Sequence, residues 1–272
     1  MGHINMKLPG GIERLLLRCV DSIFKLWPRH SPEPDALKTC KIVSHRGEHD
    51  NIGIYENTFA AFDRALAQGT WGIEFDVRWT RDLQPVVAHD PDLKRVFGIE
   101  TTIAEVEFDE LRGHCPAVPL LSEVVATYGR QMHFMVELKE EIYPDPGRQN
   151  AIFKDCFAPL SPRFDYHLMS LTPQMFDLIT FVPPSTFIPI ANLDMARFSN
   201  LASEKRYGGV AGHYLLLTDA ILKKHRQKDQ RVGTGYPGSK NCLFREVNRG
   251  VEWIFSNNAG ELQAIINRVL SK

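Results

Sequence analysis

"WGIEFDVRWTRDLQPVVAHD" (residues 71–90) decides the fold. Residues 71–77 mix aromatic and β-branched side chains and read as a strand. A second run, "PVVAHD" (85–90), follows after only "WTRDLQ". A parallel crossover needs about a dozen residues, so the second run must fold back as an antiparallel hairpin. Working outward, similar short runs lie at 41–45, 132–138, 165–170, 186–190, 208–212, 231–235 and 251–255. Helical patterns fit between them, among them Thr58–Gln68, Leu120–Tyr128, Pro173–Phe181, Asp219–Gln227 and Asn258–Leu270. With the hairpin strand set aside, eight strands alternate with helices, the count of a (β/α)8 TIM barrel in the α/β class.

In such a barrel the C-terminal strand ends face the active site, and here those ends are charged. The first strand runs out of apolar residues at His45-Arg46, which a core would reject. The second carries Glu74 and Asp76, two apart and so on one face, while Ile73, Phe75 and Val77 take the other. The strand at 132–138 brings Glu137, with Lys139 on the same face, and the hairpin ends in His89-Asp90. Crowded carboxylates in a barrel mouth repel one another and lose hydration, so either one is protonated or a cation sits between them. Three carboxylates without a cysteine describe a hard-cation site, Mg²⁺ or Ca²⁺, on Glu74, Asp76 and Glu137. The competing reading pairs these acids with Arg46, Lys139 and Arg78. Arg46 and Lys139 suit an anionic ligand, the guanidinium as a fork on phosphate oxygens and the ammonium as a point charge. His45 and His89 can serve as base and acid on opposite sides of a phosphorus centre. Asn57 or Thr58 caps the following helix, Glu56 caps or orients, and Gly47 lets the chain turn tightly away.

The bulk properties exclude some classes. The 272 residues are 43% apolar and 24% charged, ordinary globular composition with enough chain for one α/β barrel. A net charge of −1 and the lack of a basic-aromatic stripe argue against nucleic acid, so any anion site is local. Cys19, Cys40, Cys115, Cys156 and Cys242 are scattered, odd in number and free of C-x-x-C spacing, against a disulfide framework or structural zinc. With Arg14 and Arg18 interrupting the N-terminal apolar stretch, no signal peptide is read, and the expected location is cytoplasmic. Residues 11–27 place Ile12, Leu16, Val20, Ile23, Phe24 and Trp27 on one helical stripe. Two readings stand: a helix docked on the domain or on a second copy in a homodimer, or a helix making peripheral membrane contact. A proline-rich charged linker follows, so residues 1–40 form an extension and the barrel begins near Lys41.

These segments together resemble the glycerophosphodiester phosphodiesterase family. Its HRG, ENT, E-x-D, T-x-D, V-V-x-H-D and E-x-K elements match His45-Arg46-Gly47, Glu56-Asn57-Thr58, Glu74/Asp76, Thr80/Asp82, Val86-Val87 with His89-Asp90, and Glu137/Lys139, in order. "VPLLSEVV" (118–125) and "SLTPQMF" (170–176) resemble two further family segments. The likeness is dense from residue 42 to about 139 and thinner beyond. It implies a TIM barrel over 41–272 with an insertion at roughly 90–117, and one divalent cation on Glu74, Asp76 and Glu137. It implies His45 and His89 as the acid–base pair, and Arg46 and Lys139 on the phosphate of a small-molecule glycerophosphodiester. The implied reaction yields glycerol 3-phosphate and an alcohol.

The chain departs from the family near its end. Tyr236, in "RVGTGYPGSKN" (231–241), stands where a Trp-Thr pair is usual, and Ser256-Asn257 replaces the usual Thr-Asp. Tyr55 stands before Glu56 where the family tends to have proline. These changes fall on the wall that contacts the glycerol or leaving group, so a lysophospholipase D-type enzyme acting on lysolipids at a membrane is the alternative. A catalytically silent barrel that binds a phosphorylated ligand is the third reading.

Overall fold

A computed structural model describes residues 24–272. The helix expected over 11–27 therefore lies almost wholly outside the described residues.

Nine strands form one sheet: β1 (Lys41–His45), β2 (Gly72–Trp79), β3 (Pro85–Val87), β4 (His133–Leu138), β5 (Tyr166–Ser170), β6 (Phe187–Ala191), β7 (Gly209–His213), β8 (Arg231–Gly235) and β9 (Trp253–Ser256). Their order, β1-β9-β8-β7-β6-β5-β4-β2, closes through β1 on β2, and every one of these pairings is parallel. That is the closed eight-stranded parallel barrel expected from the sequence. The ninth strand, β3, is the antiparallel hairpin, pairing Val87 with Val77 and Pro85 with Trp79. It exists because β2 outruns its neighbours: β1 pairs only with residues 72–74, which leaves the far end of β2 open to β3.

The helices are α1 (Pro34–Thr39), α2 (Phe59–Ala67), α3 (Lys94–Phe97), α4 (Phe108–His114), α5 (Leu121–Tyr128), α6 (Pro146–Phe157), α7 (Met195–Glu204), α8 (Asp219–Arg226), α9 (Lys240–Asn248) and α10 (Ala259–Leu270). The helix expected at Pro173–Phe181 is instead a 3-10 segment, Pro173–Leu178, opened by its proline. Thr58 caps α2, accepting from Ala61 N at 3.4 Å. No helix among the described residues is long and apolar enough to cross a membrane.

Apolar burial falls into three clusters. Ile42, Ile73, Phe75, Val77, Phe134 and Leu168 face outward against helix residues such as Phe62, Val124 and Leu243. Val43, Met135, Met169, Ile188, Ala211 and Phe255 fill the barrel interior. A small separate core, with Val86, Leu93, Ile103, Phe108 and Leu111, holds the insertion against the hairpin. Below the interior layer, Trp71 stacks on His133 at 4.2 Å between centroids, and His133 meets His167 in a 2.8 Å hydrogen bond. This aromatic plug closes the N-terminal end and leaves the charged residues to the other mouth.

Candidate active site

The alternation of β2 delivers the acids. With Ile73, Phe75 and Val77 sunk into the helix layer, Glu74 and Asp76 must face the barrel mouth, and β4 in register beside them sets Glu137 opposite Asp76. One carboxylate oxygen from each of Glu74, Asp76 and Glu137 lies within 4.8 Å of the others, and all three residues are buried. Lys139 Nζ bridges Asp76 and Glu137 at 2.7 Å to each. Arg46 Nε stands 3.4 Å from Asp76, and Asn57 Nδ2 donates to Asp76 at 2.9 Å. The sequence reading of acids paired with Arg46 and Lys139 is thus present around Asp76; Arg78 turns away to Glu141 at 3.2 Å.

The backbone at the end of β1 is as specific as its side chains. Arg46 and Asn57 both take left-handed conformations, φ 58° each. They are tied together: Asn57 N donates to Arg46 O at 3.0 Å, and Arg46 N donates to Glu74 O at 2.8 Å. Residues held this way cost about 1 kcal/mol or more each, and such strain collects at working sites. Gly47, φ 77°, follows, and a Cβ there would lie 2.7 Å from Ala61 Cβ, so only glycine lets the loop pass over α2.

The charges respond to one another. Burial, then Asp76 and Glu137, push the Glu74 carboxyl well above its usual range. Burial also raises Glu137, helped by Asp76 and opposed by Lys139. At Asp76 burial acts the same way, but Lys139 and Arg46 outweigh it and keep the group ionised. With the protein's own charges alone, then, Glu74 tends to hold a proton, and the site asks for one more cation. An all-oxygen donor set that lacks positive charge fits a hard divalent ion.

The two histidines border the cluster, His45 beside Glu74 and His89 near Asp76, each with a ring nitrogen fixed. His45 Nδ1 donates to Asn257 Oδ1 at 2.7 Å, leaving Nε2 unprotonated and 3.8 Å from Glu74. Burial first, then Arg46, lower its pKa to about 3. Tyr236 packs edge-on against it at 5.0 Å. His89 Nδ1 bonds Asp90 Oδ1 at 2.6 Å, and Arg78 Nε donates to the His89 carbonyl at 2.8 Å. His89 is also lowered, by burial first, though Asp76 works in the opposite direction.

Glu56 orients, as read from the sequence. It accepts from Arg46 Nη1 at 2.9 Å and from Arg95 Nη2 at 2.6 Å. Burial raises its pKa, yet Arg95 and Arg46 hold it down at about 2. Arg95, from α3 in the insertion, continues to Asp90 at 2.5 Å. A chain of ion pairs thereby runs Arg46–Glu56–Arg95–Asp90 to His89. Sequence reasoning missed Arg95, because a cation in "DLKRVFG" has no periodic or spacing signal. Asn257 was visible only as a departure from the family pattern, with no hint that it holds His45.

Residues 45–163 match the sequence model of the Glycerophosphoryl diester phosphodiesterase family. A glycerophosphodiester phosphodiesterase of Bacillus altitudinis is 35% identical over 125 residues, 41% of this chain and 50% of that protein. Human lysophospholipase D GDPD1 is 43% identical over 72 residues, 26% of this chain and 22% of its own length. The matches thus span about half, or less, of the curated relatives. A phosphodiesterase of Oleispira antarctica, solved in complex with the product sn-glycerol-3-phosphate, shares the barrel with a TM-score of 0.69, 20% identity, and coverage of 85% of this chain and 99% of that one. The matched stretch spans the charged ends of β1, β2 and β4 and the hairpin that carries His89, and over it the chain is similar to the glycerophosphoryl diester phosphodiesterase family.

Proposed function

We propose that the chain hydrolyses a glycerophosphodiester to glycerol 3-phosphate and an alcohol at the mouth of the barrel. The observation that carries this is the meeting of Glu74, Asp76 and Glu137 within 4.8 Å, beside Arg46 and Lys139 and two oriented histidines. Three acids against two bases leave the cluster one negative charge when all are ionised. A divalent cation on those three carboxylates, Mg²⁺ or Ca²⁺, supplies Lewis-acid stabilisation of charge on the phosphoryl oxygens and leaves the balance for one phosphodiester.

The chain's own residues divide the remaining work. Arg46 and Lys139 hold the phosphate oxygens and are themselves held by Glu56, Asp76 and Glu137, so their positions are set before substrate arrives. Asn257 and Asp90 occupy the Nδ1 atoms of His45 and His89, which leaves Nε2 of each for the reaction, that of His45 within 3.5 Å of the Tyr236 hydroxyl. Between them they carry the proton from the attacking oxygen and to the departing alkoxide. The attacker is water, or the glycerol hydroxyl next to the ester followed by water. Tyr236 against His45 forms the wall beside the leaving group.

The test is glycerol 3-phosphate release from glycerophosphocholine by the pure protein, with Mg²⁺ or Ca²⁺ and then with chelator. Chelator-sensitive release is expected; no release with either ion sets the reading aside. The likeness to a lysophospholipase D favours a second reading, in which the diester carries an acyl chain.

A further inference from the structure

The loops that follow parallel barrel strands all emerge at one end, the end that holds the candidate site. Five of them carry a large apolar side chain in solvent: Ile52 after β1, Ile142 after β4, Leu171 after β5, Leu193 after β6 and Leu215 after β7. Ile52 is 84% exposed, Ile142 87% and Leu193 64%. Among the described residues, the remaining exposed large apolar side chains are Tyr236 after β8, Phe164 at the opposite end, Leu270 in the last helix, and Leu26 and Trp27 in the segment before α1. None of the five belongs to the packed clusters of the core. Single exposed leucines need no explanation, but one on loop after loop around a single opening makes a ring.

The described chain begins against the same ring. Phe24 lies 5.8 Å, edge to face, from Tyr214, the neighbour of Leu215, and Lys25 O accepts from Asn241 at the start of α9. The residues that precede Phe24 have, in sequence, the apolar stripe Ile12, Leu16, Val20 and Ile23. The described chain thus enters the barrel at the ring rather than at the plugged end.

We infer that this ring seats the catalytic mouth in the surface of a lipid layer, so that a lysophospholipid enters the site without leaving it. The inference rests on the hydrolase reading above and narrows its substrate class. The charges among the apolar tips are mixed, Asp50, Asp194 and Asp219 with Arg197 and Lys240, so apolar insertion rather than anionic lipid drives docking. A neutral surface is then sufficient. Catalysis and docking use separate residues: the site lies at the barrel axis, and Ile142, Leu193 and Leu215 touch none of it in any hydrogen bond or ion pair.

The experiment uses the full chain and neutral phosphatidylcholine vesicles, with and without lysophosphatidylcholine as a minor component. Wild type sediments with the vesicles and releases choline or lysophosphatidate from them. The triple variant Ile142→Glu, Leu193→Glu, Leu215→Glu loses vesicle binding by about tenfold or more and loses turnover of vesicle-borne lysolipid alike. Its turnover of soluble glycerophosphocholine stays within about twofold of wild type, because these side chains lie outside the packed core. Leu193→Trp, which adds an interfacial aromatic, strengthens binding severalfold and keeps the inference open to refutation should the triple variant misfold. Wild type that ignores vesicles, or a triple variant that still binds them, overturns docking while soluble turnover leaves the hydrolase intact. A wild-type dimer that the triple variant dissociates assigns the ring to a second copy and overturns it too. Vesicle binding with no turnover of either substrate overturns the hydrolase reading instead.

Discussion

Glu74 and Asp76 are separated by one residue and differ in almost everything else. Asp76 has three neighbours that favour its charge, whereas Glu74 meets mainly the repulsion of other acids. Two substitutions separate the roles. Glu74→Gln keeps the shape of a side chain that already tends to be neutral, so in chelator its melting temperature shifts by under about 2 °C. Cation-dependent turnover falls about a hundredfold or more, because a ligand oxygen has lost its charge. Asp76→Asn leaves Lys139 and Arg46 buried with weakened partners and costs on the order of 3 kcal/mol of stability. Thermal melts in chelator, set beside turnover with Mg²⁺, check both, and equal loss of stability in the two variants would refute the assignment. The spacing of the acids made this cluster readable in advance. Asn57 on Asp76, Asn257 on His45 and Arg95 on Glu56 were not readable in those roles, since their partners lie 19, 212 and 39 positions away in sequence.

At the scale of elements, the hairpin does more than extend β2. It supplies Val86 and Ala88 to the insertion's core and delivers His89 just past its end. Asp82, in the turn between the strands, ties these parts together. It accepts from Thr80 Oγ1 at 2.6 Å and from Phe108 N, at the start of α4, at 3.0 Å. A carboxylate on the first turn of a helix satisfies an otherwise unpaired N–H and meets the positive end of the dipole. Asp82→Ala is expected to cost about 1–2 kcal/mol, read as a lower urea midpoint with unchanged slope. Hydrogen exchange in residues 91–118 should rise more than in β4–β9, and uniform change across the barrel would count against a local role. The eight barrel strands were legible to within one or two residues because β-branched and aromatic runs end at turns, whereas the hairpin strand stops at Val87, three residues short of the run at 85–90. Helices with a broad apolar face, such as α2 with Ala61, Phe62 and Ala65, were legible too. The helix α7 buries only Met195, Ser199 and Ala202, too narrow a stripe for sequence to single out. The 3-10 segment at Pro173–Leu178 shows the limit from the other side, since a helical pattern of six residues does not reveal which helix it will form.

For the whole molecule, the two ends of the barrel handle charge in opposite ways. The end that holds the candidate site gathers ionised groups and neutralises them in pairs, while the plugged end buries histidines whose pKa values are lowered. His133 Nδ1 donates to Phe164 O at 3.0 Å, its Nε2 bonds His167 Nδ1 at 2.8 Å, and Trp71 and Trp253 cover the pair. Burial lowers His133 from 6.5 to about 4, and burial with His133 itself lowers His167 well below its usual value. A histidine whose pKa is depressed on folding stabilises the native state in full above its unfolded value. That contribution is lost as pH falls through the folded one, because the unfolded chain takes up the proton first. The window for His133 is therefore pH 6.5 down to about 4. Its shift alone corresponds to an order of 3 kcal/mol lost across that window. His133→Gln removes the titration while keeping a donor and an acceptor, so its melting temperature starts lower at neutral pH and falls less steeply below pH 6.5. Melts from pH 8 to 4 in chelator check this, with Asp76→Asn alongside as a variant altered at the other end. An acid limb as steep in His133→Gln as in wild type would place the acid sensitivity elsewhere in the barrel.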